Sequence, residues 1–119
     1  MGFVEVARVD DIPTHRGLCV KIRGIDIGLF RVGDGVHAME NQCPHAGAPL
    51  SEGELDGFTV FCPQHGWDFD VRTGFRVEDA DGFPIPCFAV RVKEGTVEVD
   101  IDQPTNSQPA KKKLLPEEE

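Results

Sequence analysis

Short runs of alternating or wholly apolar residues recur along most of this chain. They have the length of β-strands, and short glycine-bearing connections separate several of them. No stretch of ten or more residues shows helical spacing with caps. We therefore predict an all-β fold, a sandwich or barrel-like stack of antiparallel strands. The predicted strands are Phe3–Ala7, Val20–Ile22, Ile25–Ile27, Leu29–Val32, Val36–Met39, Phe58–Phe61, Ala89–Val92 and Thr96–Val99.

Three of the connections have the composition of tight turns. They are Gly33–Gly35, Arg72–Gly74 and Glu94–Gly95, and each supplies a glycine that can adopt a positive φ. The chain also contains 13 glycines and nine prolines. This content fits many short strands better than long helices.

The last segment of the chain differs from the rest in composition. Residues 103–119 are polar and proline-bearing, and they end in a lysine triplet, a short apolar step and a glutamate triplet. Such a segment cannot build a packed core. With 119 residues in all, the chain is long enough for one domain. We predict a domain over residues 1–102 and a flexible tail over 103–119.

Charge narrows the range of partners. The formal net charge is −9, with 21 acidic against 12 basic side chains. This balance argues against nucleic acid and against an anionic membrane surface as partners. The N-terminus lacks the pattern of a signal peptide, and no apolar run is long enough to span a bilayer. We expect a cytoplasmic protein.

Two short motifs carry the candidate chemistry. Cys43-Pro44-His45 is followed, after 16 intervening residues, by Cys62-Pro63-Gln64-His65. Two thiolates and two imidazoles suit zinc or an iron–sulfur cluster. Structural zinc sites usually draw two ligands of one kind from each loop, whereas each loop here offers one of each kind. The order favours a two-iron cluster; a zinc site or a coincidence of thiols and histidines remains the alternative.

The pattern Cys-x-His-x₁₆-Cys-x₂-His resembles the Rieske family, whose 2Fe–2S centre has two histidines in place of two cysteines. The run Cys62–Gly74 is similar to the second ligand loop of Rieske-type ferredoxins from bacterial ring-hydroxylating dioxygenase systems. The resemblance extends from about Phe3 to Asp102. It implies the Rieske fold, with stacked antiparallel sheets and two hairpin loops that clasp the cluster, and a covering loop at Gly82–Pro86. The implied ligands of one 2Fe–2S cluster are Cys43, His45, Cys62 and His65.

The resemblance also implies a function. We expect a one-electron carrier, not itself an enzyme, that passes electrons from a flavin-dependent NAD(P)H reductase to a terminal oxygenase. Both flavoprotein and oxygenase would dock transiently at the His45/His65 end of a monomer. One alternative is the small subunit of an assimilatory NAD(P)H nitrite reductase. A Rieske-fold protein with a structural zinc ion is another.

Residues that are missing from the motifs bear on the reduction potential. High-potential Rieske proteins carry an extra cysteine in each loop, where this chain has Ala48 and Gln64. They also place a serine hydroxyl where this chain has Trp67, and they use a tyrosine, of which this chain has none. The loss of each hydroxyl donor removes a hydrogen bond that would stabilise the electron-rich reduced cluster, and so lowers the reduction potential. We therefore expect a potential on the order of −150 mV, at the low end of the Rieske range.

The other cysteines and histidines receive no functional role. Cys19 and Cys87 stand in predicted strands, and we expect small buried apolar side chains there rather than a disulfide. Neither His15 nor His37 has the spacing of a ligand.

Two clusters of acidic residues lie near the motifs in the sequence. They could steer a basic partner towards the cluster or could simply be solvated charge, and the sequence leaves both interpretations open. The groups are Glu52, Glu54 and Asp56 after the first motif, and Glu78, Asp79 and Asp81 before the proline-bearing loop.

Overall fold

The computed structural model describes residues 2–43, 47–64, 66–77, 84–102 and 104–106. The described residues form nine strands and two 3₁₀ segments of three residues each. No helix in these ranges is long and apolar enough to cross a membrane. The strands are β1 (Val4–Arg8), β2 (Leu18–Ile22), β3 (Ile25–Val32), β4 (Gly35–Glu40), β5 (Leu55–Asp56), β6 (Thr59–Phe61), β7 (Asp68–Asp70), β8 (Cys87–Lys93) and β9 (Thr96–Asp100); the 3₁₀ segments are Val9–Asp11 and Leu50–Glu52.

The strands form two antiparallel sheets, as predicted. The large sheet has six strands in the order β1-β9-β8-β4-β3-β2, and the small sheet has three in the order β5-β6-β7. The outer strands β1 and β2 approach each other, so the large sheet curls towards a barrel. The all-β prediction is confirmed. Each candidate motif follows a different sheet, because Cys43 comes after β4 and Cys62 comes directly after β6.

Two groups of buried side chains hold the sheets together. One fills the curl of the large sheet, with Ile27, Leu29, Val97 and Val99 at or near zero exposure. The other, which we call the inter-sheet core, joins the large sheet to the small one. Its members are Phe30, Met39, Cys43, Ala48, Leu50, Leu55, Val60, Cys62, Phe69, Val71, Ile85 and Cys87. Both cysteines of the candidate motifs therefore belong to one apolar cluster.

Strand β3 is continuous where the sequence predicts two separate strands. Gly28 lies in its middle and pairs with Cys19 of β2 and Met39 of β4. A Cβ at Gly28 would lie 2.9 Å from the ring of Phe30, and one at Gly17 would lie 2.7 Å from it. The two glycines thus leave the space that the fully buried Phe30 ring occupies. Gly28 serves packing here and does not interrupt the strand.

Two strands of the small sheet were not predicted. β5 and β7 have two and three residues and contain one apolar residue each, so neither an alternating nor an apolar run marks them. The predicted turns at Gly33–Gly35 and Glu94–Gly95 are confirmed as β3–β4 and β8–β9 connections. Glu94 and Gly95 have φ of 53° and 81°, as a type I′ hairpin requires.

The prediction of burial is correct for Cys87 and wrong for Cys19. Cys87 is 3% exposed, and burial, helped by the charge of Asp70, raises the pKa of its thiol to about 12. Cys19 is exposed, because it shares the outward face of β2 with Lys21. No disulfide joins any two of the four cysteines, all of which lie in described ranges.

The boundary between a domain at 1–102 and a tail at 103–119 stays a prediction, because most of the tail lies outside the described residues. Thr105 and Asn106, which are described, hydrogen-bond to the domain. The amide of Thr105 donates to the carbonyl of Cys87 at 2.8 Å.

Glycine substitutions test the packing of the small sheet. A Cβ at Gly53 would lie 1.7 Å from the carbonyl oxygen of Phe61, whereas nothing lies within 4 Å of one at Gly57. Gly57→Ala should cost only the strain of its positive φ, about 1–2 kcal/mol. Gly53→Ala should cost about 3 kcal/mol or more, because backbone must move. Urea unfolding measures both, and equal losses would contradict this account of the packing.

Candidate metal centre

The two cysteines of the candidate motifs stand at the start of two loops. Cys43 begins the loop between β4 and the second 3₁₀ segment, and Cys62 begins the loop between β6 and β7. Both are buried, with exposures of 0% and 3%. The two thiols therefore enter the inter-sheet core from two different sheets.

The two loops are closed by the same pair of backbone hydrogen bonds. In the first, the amide of Cys43 donates to Ala48 at 2.9 Å, and the amide of Gly47 donates to Cys43 at 2.6 Å. In the second, the amide of Cys62 donates to Trp67 at 2.7 Å, and the amide of Gly66 donates to Cys62 at 3.0 Å. The sequence offsets from the cysteine are identical. The loops are thus two copies of one local structure.

Glycine is required at the same position of both loops. Gly47 and Gly66 have φ of 72° and 73°, a region that other residues rarely adopt. The amides of both glycines donate to cysteine carbonyls. The two glycines therefore allow each turn to close on its own cysteine.

His45 and His65 lie outside the described residues. In the sequence, each stands within the stretch that the closing hydrogen bonds enclose, between Cys43 and Gly47 and between Cys62 and Gly66. Among the described residues no group of three metal-binding side chains comes together. The described donors are thus the two buried cysteines, a soft pair that fits the thiolate half of a Rieske cluster.

A buried asparagine anchors the first loop, and the sequence analysis did not identify it. The side chain of Asn41 accepts a hydrogen bond from the amide of Ser51 at 2.7 Å and donates to its hydroxyl at 2.9 Å. Its own amide donates to Asp26 at 2.8 Å. These contacts tie both ends of the loop to β3. No local pattern marks Asn41, because its partners come from distant parts of the chain.

Aromatic rings support the second loop. The guanidinium of Arg76 lies 4.0 Å above the ring of the half-buried Trp67. The Nε of Arg76 is buried and has no hydrogen-bond partner, so this stacking is its principal contact in the described part of the chain. Trp67 also packs against the inter-sheet core. These contacts give Trp67 a packing role beneath the second loop.

A second stacked arginine connects the small sheet to β4. Arg72 binds the carboxylate of Asp70 with two side-chain contacts at 3.0 and 2.8 Å, and it lies 4.0 Å above the ring of Phe58. The same ring meets His37 of β4 edge to face at 5.7 Å. These four side chains, which we call the bridging cluster, join the hairpin of the second loop to the large sheet.

The charges of the bridging cluster shift two pKa values. Hydrogen bonds from Arg72 hold the pKa of Asp70 below its ordinary 3.8. Burial, with a further contribution from the positive charge of Arg72, lowers the pKa of His37 below 6.5, and Asp70 partly opposes this. His37 is therefore held in its neutral form near neutral pH.

Residues 2–89 match the model of the Rieske [2Fe-2S] domain. The chain belongs to the Rieske [2Fe-2S] domain family. It therefore carries one 2Fe–2S cluster of the kind that two cysteines and two histidines hold.

Several relatives of this chain are ferredoxins. Ferredoxin CarAc of Metapseudomonas resinovorans is 42% identical over 66% of this chain and 74% of its own length. The ferredoxin component of the naphthalene 1,2-dioxygenase/salicylate 5-hydroxylase systems of Ralstonia sp. is 39% identical over 76% and 92%. A solved complex of reduced oxygenase and oxidized ferredoxin in carbazole 1,9a-dioxygenase contains a similar chain, with a TM-score of 0.73, 38% identity and coverage of 82% and 91%.

The alternative function also has a structural neighbour, at lower identity. A putative nitrite reductase small subunit from Mycobacterium tuberculosis has a TM-score of 0.73 at 28% identity, with coverage of 82% and 93%. The more similar relatives are ferredoxin components, so this Rieske protein is an electron-transfer component and not a catalytic subunit.

The bridging cluster predicts how stability depends on pH. Because folding lowers the pKa of His37, the unfolded chain binds more protons below pH 6.5, and stability falls as the pH decreases from there. His37→Gln should reduce this fall between about pH 7.5 and about pH 5.5, as measured by urea unfolding. An unchanged slope in His37→Gln would contradict this assignment.

Proposed function

We propose that Cys43, His45, Cys62 and His65 hold the Rieske cluster, with the cysteines on one iron and the histidines on the other. The equivalence of the two loops supports this, because each presents one buried thiol from the same position of the same turn. Of the remaining candidates, Cys19 is exposed on β2 and His37 packs on Phe58. Cys87 shares the inter-sheet core with both cysteines, but it stands in β8 and not in either loop. When bound, the cluster supplies reversible one-electron transfer.

The protein's own contribution is to bury and hold the cluster. The inter-sheet core excludes water from the cysteine side of the site. A low dielectric disfavours the added negative charge of reduction and so lowers the potential. The described second loop offers no hydroxyl at Trp67, and Ala48 and Gln64 cannot form the disulfide of high-potential relatives. These features support a low-potential carrier.

We further propose that the protein accepts electrons from a flavin-dependent NAD(P)H reductase and passes them to a terminal oxygenase. Two observations support this: relatives are ferredoxin components of dioxygenase systems, and a similar ferredoxin forms a complex with its oxygenase. Docking would be transient, by a monomer, at the His45/His65 end. We place the protein in the cytoplasm, where NAD(P)H is available and cysteines stay reduced.

Acidic residues beside the second loop are proposed to steer a basic partner. The carbonyl of Glu54 accepts the amide of Phe61, the residue before Cys62, so Glu54 lies at the cluster end of the small sheet. Asp56 lies at the opposite end of the same hairpin, beside Thr59. Glu54 is thus better placed for steering than Asp56. The second acidic group, Glu78, Asp79 and Asp81, lies outside the described residues.

Cysteine variants test the ligand assignment. Cys43→Ser and Cys62→Ser should each abolish the visible absorbance of the cluster and most of the bound iron, because an alcohol replaces a thiolate ligand. Cys19→Ser is the matched control, since Cys19 is exposed on β2, and it should keep both signals. A Cys43→Ser protein that retains a full complement of iron and the wild-type spectrum would refute the assignment.

Electron transfer to isolated partners tests the function. The reduced protein should be reoxidised in stopped-flow by the oxygenase component of an aromatic-ring dioxygenase, and the rate should fall as salt is added. Glu54→Gln should weaken that salt dependence, while Asp56→Gln should leave it unchanged. Reoxidation by a sirohaem nitrite reductase alone would favour the alternative function. A rate that is independent of salt would refute the steering proposal.

A further inference from the structure

A single asparagine near the C-terminus binds two separate segments of the domain. The side-chain nitrogen of Asn106 donates to the carbonyl of Thr73 at 2.7 Å and to that of Ile85 at 2.9 Å. Its side-chain oxygen accepts the amide of Cys87 at 2.9 Å. The amide group thus uses both of its donors and its acceptor on backbone groups.

The segments that Asn106 joins belong to the hairpin of the second loop and to the start of β8. Thr73 lies in the turn after β7, and Cys87 begins β8. The amide of Ile85 also donates to the carbonyl of Gly74 at 2.9 Å. A Cβ at Gly74 would lie 2.1 Å from the Ile85 oxygen and 2.8 Å from the Asn106 nitrogen, and its φ is +80°. The close approach therefore depends on glycine at this position.

These contacts reach the cysteines through the inter-sheet core. Ile85 and Cys87 are each 3% exposed, and both pack in the same cluster as Cys43 and Cys62. Thr105 adds a backbone hydrogen bond to the carbonyl of Cys87 at 2.8 Å. The C-terminal segment consequently fixes one wall of the core that surrounds both thiols.

We propose that Asn106 is a positioning residue for the cluster. It holds residues 85–87 against the hairpin of the second loop and thereby sets the packing, and the exclusion of water, around Cys43 and Cys62. The predicted effect on the cluster rests on the proposed ligand assignment. The predicted effect on the packing of residues 85–87 does not depend on it. Removing the side chain would leave the carbonyls of Thr73 and Ile85 and the amide of Cys87 without these partners. Ile85 and Cys87 are buried, whereas Thr73 is exposed, so the cost falls mainly on the two buried groups.

Two variants of the full-length holoprotein separate hydrogen bonding from size. Asn106→Ala removes all three contacts. Asn106→Asp keeps the shape and the acceptor but turns a carboxylate oxygen towards the carbonyls of Thr73 and Ile85. Thr105→Val is the matched control, because it keeps the backbone hydrogen bond of Thr105 and loses only a hydroxyl contact of 3.4 Å.

Four measurements follow the effects of these substitutions. Hydrogen exchange at the amide of Cys87 and labelling of its thiol should each become about tenfold faster in both Asn106 variants. Loss of the visible cluster absorbance in the presence of an iron chelator should accelerate by a similar factor, about tenfold. The reduction potential should shift upward, because water that reaches the core stabilises the reduced cluster. Thr105→Val should match the wild type in all four.

Each result has a defined meaning. If Cys87 becomes accessible in the Asn106 variants while the potential and the rate of cluster loss stay at wild-type values, Asn106 is a local structural contact and the proposal is wrong. If Asn106→Asp behaves like the wild type, side-chain shape suffices and the hydrogen-bonding argument fails. The exchange and labelling results are independent of which residues bind iron, so a failed ligand assignment would be visible separately in the cysteine variants.

The wild-type protein offers a test that does not depend on whether a variant folds. The amide of Ile85 donates to the carbonyl of Gly74, and the amide of Thr105 donates to the carbonyl of Cys87. The amide of Cys87 donates to the side-chain oxygen of Asn106. These three amides should be protected and should exchange through one common opening. A Cys87 amide that exchanges as fast as an exposed one would overturn the proposal.

Discussion

The closure of each cysteine loop by its own backbone is the constraint on which the candidate site depends. In both loops the amide and the carbonyl of the cysteine are bonded within the loop, and a glycine of positive φ completes the turn. Buried backbone groups must be paired, so this closure allows a loop to turn inside the protein. It also fixes the position from which each thiol enters the core.

Because the loops come from different sheets, their relative position is a matter of tertiary packing. The inter-sheet core sets it with side chains from both sheets, among them Phe30 of β3 and Phe69 of β7. The bridging cluster adds a contact at the surface, through the stacked ring of Phe58. The proposed ligand set draws on both loops, so these contacts between sheets are as relevant to the site as the loops themselves.

The sequence predicts the all-β fold because alternation and glycine turns are local signals that most strands here carry. It misses β5 and β7 because each contains a single apolar residue and so shows no pattern, and it divides β3 at a glycine that serves the packing of Phe30. Cys19 is exposed because it lies on the outward face of β2, and the chemistry of a cysteine does not indicate which face of a strand it will occupy. Local patterns thus determine the class of fold better than its details.

The candidate site shows the same division. The spacing of Cys43, His45, Cys62 and His65 is local enough to be read directly from the sequence, and their assignment as ligands stays a proposal. The supporting residues Asn41, Arg76 and Asn106 carry no such signal, because each acts on groups that the fold brings from elsewhere.

The central claim is that this Rieske protein is a low-potential one-electron carrier, and its reduction potential tests that claim most directly. The measurement is a redox titration of the purified protein, followed through its visible spectrum. The account predicts a chromophore that partly bleaches on reduction, with a midpoint on the order of −150 mV. A clearly positive midpoint would contradict the argument from the apolar core and the missing hydroxyl donors, and a colourless protein that binds zinc instead would contradict the electron-transfer function itself.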